Sequence, residues 1–228
     1  MNTFNFILFG AYPYIAATIL IVGCWARYDR EQYTWKAGST QMLNNKGMRV
    51  ASNLFHIGVL FIIVGHIVGL LTPESLYHHV ISTPDKQVLA MVSGGFFGIF
   101  AFVGLTMLIK RRFTDPRLRK SGNPSDQMVL LLLYAQLILG LLSIFVSAQH
   151  MDGSVMVLLA TWAQSIVTLQ PVVAAQAIES VHIIYKLHVF LGMTIFVVFP
   201  FTRLVHIISG VVAPVKYLTR SYQIVRSK

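Results

Sequence analysis

Two apolar segments, each carrying a histidine towards both of its ends, constrain this chain more than any other feature. The first runs Ala51–Leu71 and holds His56 and His66. The second runs Tyr185–His206 and holds His188 and His206. Each is long enough to cross a bilayer, which takes about 20 apolar residues. An ionisable side chain at membrane depth is costly, so it marks a functional site by default.

Charge supports a membrane reading. Only 11% of the 228 residues are charged, against about 25% in a soluble domain. Five runs qualify as spanning helices: Phe4–Trp25, Ala51–Leu71, Val88–Ile109, Met128–Val146 and Ile183–Ile208. Lipid offers the backbone no hydrogen-bond partner, so such runs cross as helices. The fold expected is an all-α integral membrane bundle of five helices in one domain, residues 1–228. The N-terminal run has no leading Lys or Arg and reads as a retained helix, not a cleaved signal.

The net charge of +10 is mostly a topology signal and excludes nucleic acid as the preferred partner. Arg27, Arg30, Lys36, Lys46 and Arg49 follow the first span. Lys110, Arg111, Arg112, Arg117, Arg119 and Lys120 follow the third. Lys216, Arg220, Arg226 and Lys228 form the tail, with Arg203 just before it. The other side offers only Lys86 and Lys186. Basic loops stay in the cytoplasm, so the N-terminus is expected outside and the C-terminus inside, in a cytoplasmic (inner) membrane. Val155–Val173 is apolar but interrupted by Gln164, Gln170 and Pro171. Counting it as a span would export the basic tail. It reads as an extra interfacial or re-entrant helix on the outer side, with Trp162 at headgroup depth.

Histidine spacing decides what the histidines can hold. His56 and His66 lie ten residues apart, about 15 Å along a helix. His188 and His206 lie 18 apart, about 27 Å and on one face if the helix is straight. Neither pair can meet at one metal. Antiparallel crossing instead opposes His56 to His206 on the cytoplasmic half and His66 to His188 on the outer half. Two opposed imidazoles fill both axial positions of a haem iron and leave it suited to electron transfer. Cys24 is the single cysteine, and Cys-x-x-Cys-His is absent, so a haem here is non-covalent, of b type. Gly58, Gly65, Gly69 and Gly192 can open a gap for a flat ring, and Pro200 can kink the last helix. The bland alternative for these histidines is polar contacts between helices. His182, at the lip of the last span, is the rival to His188. His78 and His79 read as solvated loop residues and His150 as interfacial.

Several stretches carry a resemblance to a known family. They are Arg27-Tyr-Asp, Gln32-Tyr-Thr-Trp35, Gly47-Met48, Ala51-Ser-Asn-Leu-Phe-His-Ile-Gly58 and Ser147-Ala-Gln-His-Met-Asp-Gly-Ser154. Leu187-His-x-x-Leu-Gly-Met-Thr194, Phe199-Pro-Phe-x-Arg-Leu-Val-His206 and Tyr217-Leu-Thr-Arg220 complete the set. The chain resembles the cytochrome b (gamma) subunit of membrane-bound respiratory nitrate reductase over nearly its whole length, departing around Val173–His182 and Gly210–Pro214. The resemblance implies two haems b, a distal one on His66 and His188 and a proximal one on His56 and His206. It implies oxidation of membrane quinol near the distal haem. Electrons would pass to an iron–sulfur beta subunit and then to a molybdenum catalytic alpha subunit, both on the cytoplasmic side. It also raises Lys86, which follows Thr83-Pro-Asp85, as the catalytic quinol-site residue, with Gly65 and His66 lining the same pocket. Asp85 and His150 are candidate proton acceptors.

The aromatics of the basic segments, Tyr28, Tyr33, Trp35, Tyr217 and Tyr222, suit docking to such partners. Two other readings stay open. One is the cytochrome subunit of another quinone-linked oxidoreductase, such as a sulfur or heterodisulfide reductase. The other is a haem-free anchor or transporter whose histidines relay protons.

Overall fold

The computed structural model describes residues 2–35, 38, 40, 42–121 and 123–209. The basic tail, with Tyr217 and Tyr222, lies outside the described residues, as do Lys36 and the Gly210–Pro214 departure. Five described helices are long and apolar enough to cross a membrane. They are α1 (Thr3–Glu31), α2 (Met48–Leu71), α3 (Thr83–Thr114), α4 (Pro124–Ser147) and α7 (Ile183–Phe201). Between the last two lie α5 (Ser154–Val167) and α6 (Pro171–Ala177). No strand occurs among the described residues. The chain is therefore an all-α membrane bundle, as expected.

Local chemistry sets the helix starts. Asn2 accepts the Phe4 N–H at the head of α1. Ser82 accepts the Asp85 N–H at the head of α3, and its own hydroxyl donates to the Asp85 carboxylate at 2.5 Å. Side-chain oxygens at these positions satisfy N–H groups that a helix leaves orphaned. Pro124 and Pro171 open α4 and α6 at positions where a missing N–H costs nothing. The third helix is longer than its apolar run. At 32 residues it extends about 48 Å, longer than a hydrocarbon core of about 30 Å, and carries Lys110, Arg111 and Arg112 past its apolar run.

The spans pack as an arc in the order α2, α3, α4, α7, α1. The closest seam joins α2 to α3. A Cβ on Gly58 would stand 2.5 Å from the Ala101 nitrogen, and one on Gly104 2.4 Å from the Phe55 nitrogen. Only glycine admits such a backbone approach. Gly58 therefore serves helix packing, not a gap for a flat ring. Large apolar side chains such as Leu60, Phe61, Val64 and Phe145 are exposed, which suits lipid and would be a liability in water.

Two expectations change. The segment Val155–Val173 forms two helices, not one. Trp162 is buried, not placed at a headgroup surface: it is 6% exposed and its indole N–H donates to the Phe9 carbonyl at 3.0 Å. It anchors a core of Phe9, Ala163, Ala174, Ile178, Val181 and Tyr185. That core ties α5 and α6 to the start of α1, where a π-turn at Ile7–Ala11 frees carbonyls for such bonds.

The last span also differs from the continuous helix expected over Ile183–Ile208. The α-helix ends at Val198, a tight turn covers Phe199–Phe201, and Thr202 is extended. A second tight turn, Arg203–Val205, then leads into His206. Pro200 lacks an N–H and cannot continue the ladder. The straight-helix spacing of His188 and His206 therefore does not hold.

Candidate paired-histidine sites

Helices α2 and α7 share no close packing seam, yet the two histidines of α2 meet His188 of α7 and His206 just beyond it. His66 faces His188 with ring centroids 6.0 Å apart and planes 36° from parallel. His56 faces His206 at 6.4 Å and 69°. His182 does not compete for either place, because its ring caps α7 by accepting the Ile184 N–H.

The separations carry chemical information. A metal–imidazole bond is about 2.0 Å, and the ring centroid lies roughly 1.1 Å behind its nitrogen. Two imidazoles on opposite sides of one metal therefore have centroids about 6.2 Å apart. Both pairs have the centroid separation expected of two imidazoles across one metal atom. Among the described residues, no cluster of three or more His, Cys, Asp or Glu could hold a bare ion. A two-ligand site suits a metal whose other ligands come with it, as in a macrocycle.

The backbone fixes the tautomers. Nδ1 of His66 lies 2.8 Å from the Ile62 carbonyl, and Nδ1 of His56 lies 2.7 Å from the Ser52 carbonyl. Nδ1 of His206 lies 2.5 Å from the Arg203 carbonyl. A carbonyl can only accept, so Nδ1 donates in all three. Their Nε2 lone pairs are then free for a metal, the usual arrangement behind a ligating histidine.

His188 is held differently. A Cβ on Gly140 of α4 would stand 3.1 Å from its Cε1, and Gln136 one turn away brings its amide nitrogen within 3.4 Å of Nε2. Among the described residues, neither His188 Nδ1 nor Gln136 Oε1 has a hydrogen-bond partner. Gly192 leaves space for Gln136, since a Cβ there would lie 3.2 Å from the amide nitrogen. Gln136 and Gly140 went unnoticed in the sequence. Their only signal is an i,i+4 polar and small pair on an otherwise apolar helix.

Gly65 and Gly69 face open space, with nothing within 4 Å of a built Cβ. Lys86 lies at the end of the bundle nearer His66. Its ammonium stands over the Tyr77 ring, 3.6 Å from the centroid. Tyr77 also lines a cleft of about 90 Å³ with Thr72, Glu74, Val157, Ala160, Thr161 and Gln164. Asp85 caps α3 through Ser82. The His150 carbonyl accepts from Gln87 at 2.8 Å. His78 is half-exposed but not merely solvated, because its ring lies 2.8 Å from the Glu74 carboxylate and 3.2 Å from the Thr83 hydroxyl. On the opposite end Tyr28 and Trp35 meet edge to face at 5.3 Å, while Tyr33 is 89% exposed.

Five apolar spans and two facing histidine pairs define a multi-pass membrane protein with paired side chains on separate helices, an arrangement in which helical proteins hold cofactors. A family model described as nitrate reductase gamma subunit matches residues 5–228. The respiratory nitrate reductase 1 gamma chain of Escherichia coli K12 is 50% identical over 228 residues, all of both chains. The nitrate reductase gamma chain of Bacillus subtilis 168 is 38% identical over 223 residues, 97% of this chain and 98% of its own. The chain belongs to the nitrate reductase gamma subunit family, and is a multi-pass inner-membrane subunit of that oxidoreductase complex.

Proposed function

We propose that this subunit oxidises membrane quinol and carries the electrons across the bilayer on two haems b. The observation that supports this best is the pair of centroid separations, 6.0 and 6.4 Å. His66 and His188 would hold the distal haem, and His56 and His206 the proximal one. Held by these residues, the haems would supply one-electron transfer when bound.

The protein's own groups do the rest. The main-chain carbonyls of Ser52, Ile62 and Arg203 keep the ligating nitrogens unprotonated. Gly65 leaves space beside His66 for a flat ring. Lys86 donates a hydrogen bond to a quinol oxygen and disfavours retained protons there. Each quinol gives up two electrons and two protons. With basic loops in the cytoplasm, Lys86 lies on the outer side, so protons leave outward while electrons move inward. Moving each electron against the membrane potential costs about 2.3 kcal/mol per 100 mV. The electrons pass to an iron–sulfur beta subunit and then to a molybdenum alpha subunit, where nitrate is reduced. Those partners dock on the cytoplasmic end, where exposed Tyr33 and the neighbouring arginines suit an interface.

A reduced-minus-oxidised optical spectrum of the purified chain tests the reading. Sharp bis-histidine b-type bands at two haems per chain are expected. A spectrum without them overturns it.

A further inference from the structure

A break inside an apolar helix frees main-chain carbonyls that lipid cannot satisfy. In the last span the break falls at Phe199–Thr202, and two of the carbonyls there, those of Pro200 and Thr202, go to a single side chain on another helix. Arg27 Nη1 donates to the Pro200 carbonyl at 2.7 Å and to the Thr202 carbonyl at 2.8 Å. The rest of the guanidinium is held from the other side. Its Nε donates to the Thr34 hydroxyl at 3.3 Å and its Nη2 to the Thr34 carbonyl at 3.4 Å.

One turn earlier on the same face of α1 stands Gly23. A Cβ there would lie 2.7 Å from Pro200 Cγ and 2.9 Å from Pro200 Cβ. Residues four apart on a helix are neighbours, so Gly23 and Arg27 form one receptor. The glycine admits the proline ring and the arginine takes the carbonyls around it. Beyond the clamp the chain is tied tightly. Thr202 Oγ1 accepts the Leu204 N–H at 3.4 Å, and the Arg203 carbonyl accepts from His206 Nδ1.

We propose that Gly23 and Arg27 are positioning residues for His206, setting the broken end of α7 so that its ring faces His56. The assignment rests on the reading that this pair holds a haem. Three residues separate Thr202, whose carbonyl is clamped, from His206. His188 lies on the unbroken part of α7, backed by α4, and is outside the clamp's reach. Lysine cannot replace the arginine, because one ammonium lacks the planar fork that spans the two α7 carbonyls and Thr34.

The test uses the intact complex in membranes, with haem content per chain and low-spin ferric electron paramagnetic resonance. Wild-type protein should give two low-spin signals, and a His56→Ala variant identifies which one belongs to the His56–His206 pair. Wild-type protein without two signals refutes the haem reading itself, independently of the clamp. In Arg27→Gln and Gly23→Val, that one signal should shift or vanish, with haem falling towards half. The His66–His188 signal should stay unchanged, which also shows that the bundle has folded. Arg27→Lys should resemble Arg27→Gln. Two unchanged signals, or equal loss of both, overturn the assignment.

Discussion

Gly104→Ala adds one methyl group to the α2–α3 seam. That carbon would sit 2.4 Å from the Phe55 nitrogen, 2.7 Å from the Ala51 carbonyl oxygen and 2.9 Å from Phe55 Cα. All three atoms are backbone, so no side chain can turn aside. Comfortable contact needs about 3.5 Å, so α2 must retreat by about 1 Å. Overpacking of this kind costs about 1–3 kcal/mol. The displaced helix carries both His56 and His66, whose partners His206 and His188 stay behind. Melting of the detergent-solubilised protein should fall by several degrees, and haem occupancy should drop at both pairs together. Gly94→Ala is the control, because nothing lies within 4 Å of its built Cβ. It should melt at or slightly above the wild-type temperature, since alanine is favoured over glycine in a helix interior by about 0.5–1 kcal/mol. If Gly104→Ala melts like wild type with full haem, the seam does not set the position of α2.

Three further outcomes follow from particular contacts. Lys86→Ala removes the ammonium above Tyr77. It should lower kcat/KM for quinol oxidation by about tenfold to a hundredfold, the worth of a charged hydrogen bond, with haem content unaltered; wild-type quinol kinetics would take Lys86 out of the site. Trp162→Phe strips the indole N–H from the Phe9 carbonyl and should destabilise the α5–α6 core by about 1–3 kcal/mol, read as a lower melting temperature with both haems retained. Asp115, just past α3, is held below its ordinary value of 3.8, first by the Asn44 amide and then by the Arg117 N–H. A carboxylate with a depressed pKa contributes stability above its unfolded value, lost as pH falls through the folded one. Asn44→Ala should move the Asp115 titration, followed by carboxyl carbon NMR, up towards 3.8; an unmoved midpoint refutes the Asn44 contact.

The sequence by itself determined the solvent and the number of spans. Apolar runs of about 20 residues in a chain with so few charges leave a bilayer as the one medium in which they are stable. It also limited which histidines can pair, because helices that cross in opposite senses put His56 in the same half as His206 and His66 in the same half as His188. Those inferences need only local composition and the order of segments along the chain.

Tertiary structure alone decided where the fifth span breaks and what receives it. Pro200 announces a weak point, but the Pro200 and Thr202 carbonyls left free where the chain turns extended at Thr202 are taken by Arg27, 173 and 175 residues away. The same holds for Gly58 and Gly104, whose role depends on the helix that approaches them, and for Gln136 and Gly140 behind His188. Trp162 reads as an interfacial residue from its type, yet a carbonyl released by a π-turn near the N-terminus draws it into the core. A residue's hydropathy is its own property, whereas a hydrogen bond or a close backbone approach belongs to two segments at once. That is why this chain shows its membrane spans and paired histidines in one dimension, and the supports that aim those histidines in three.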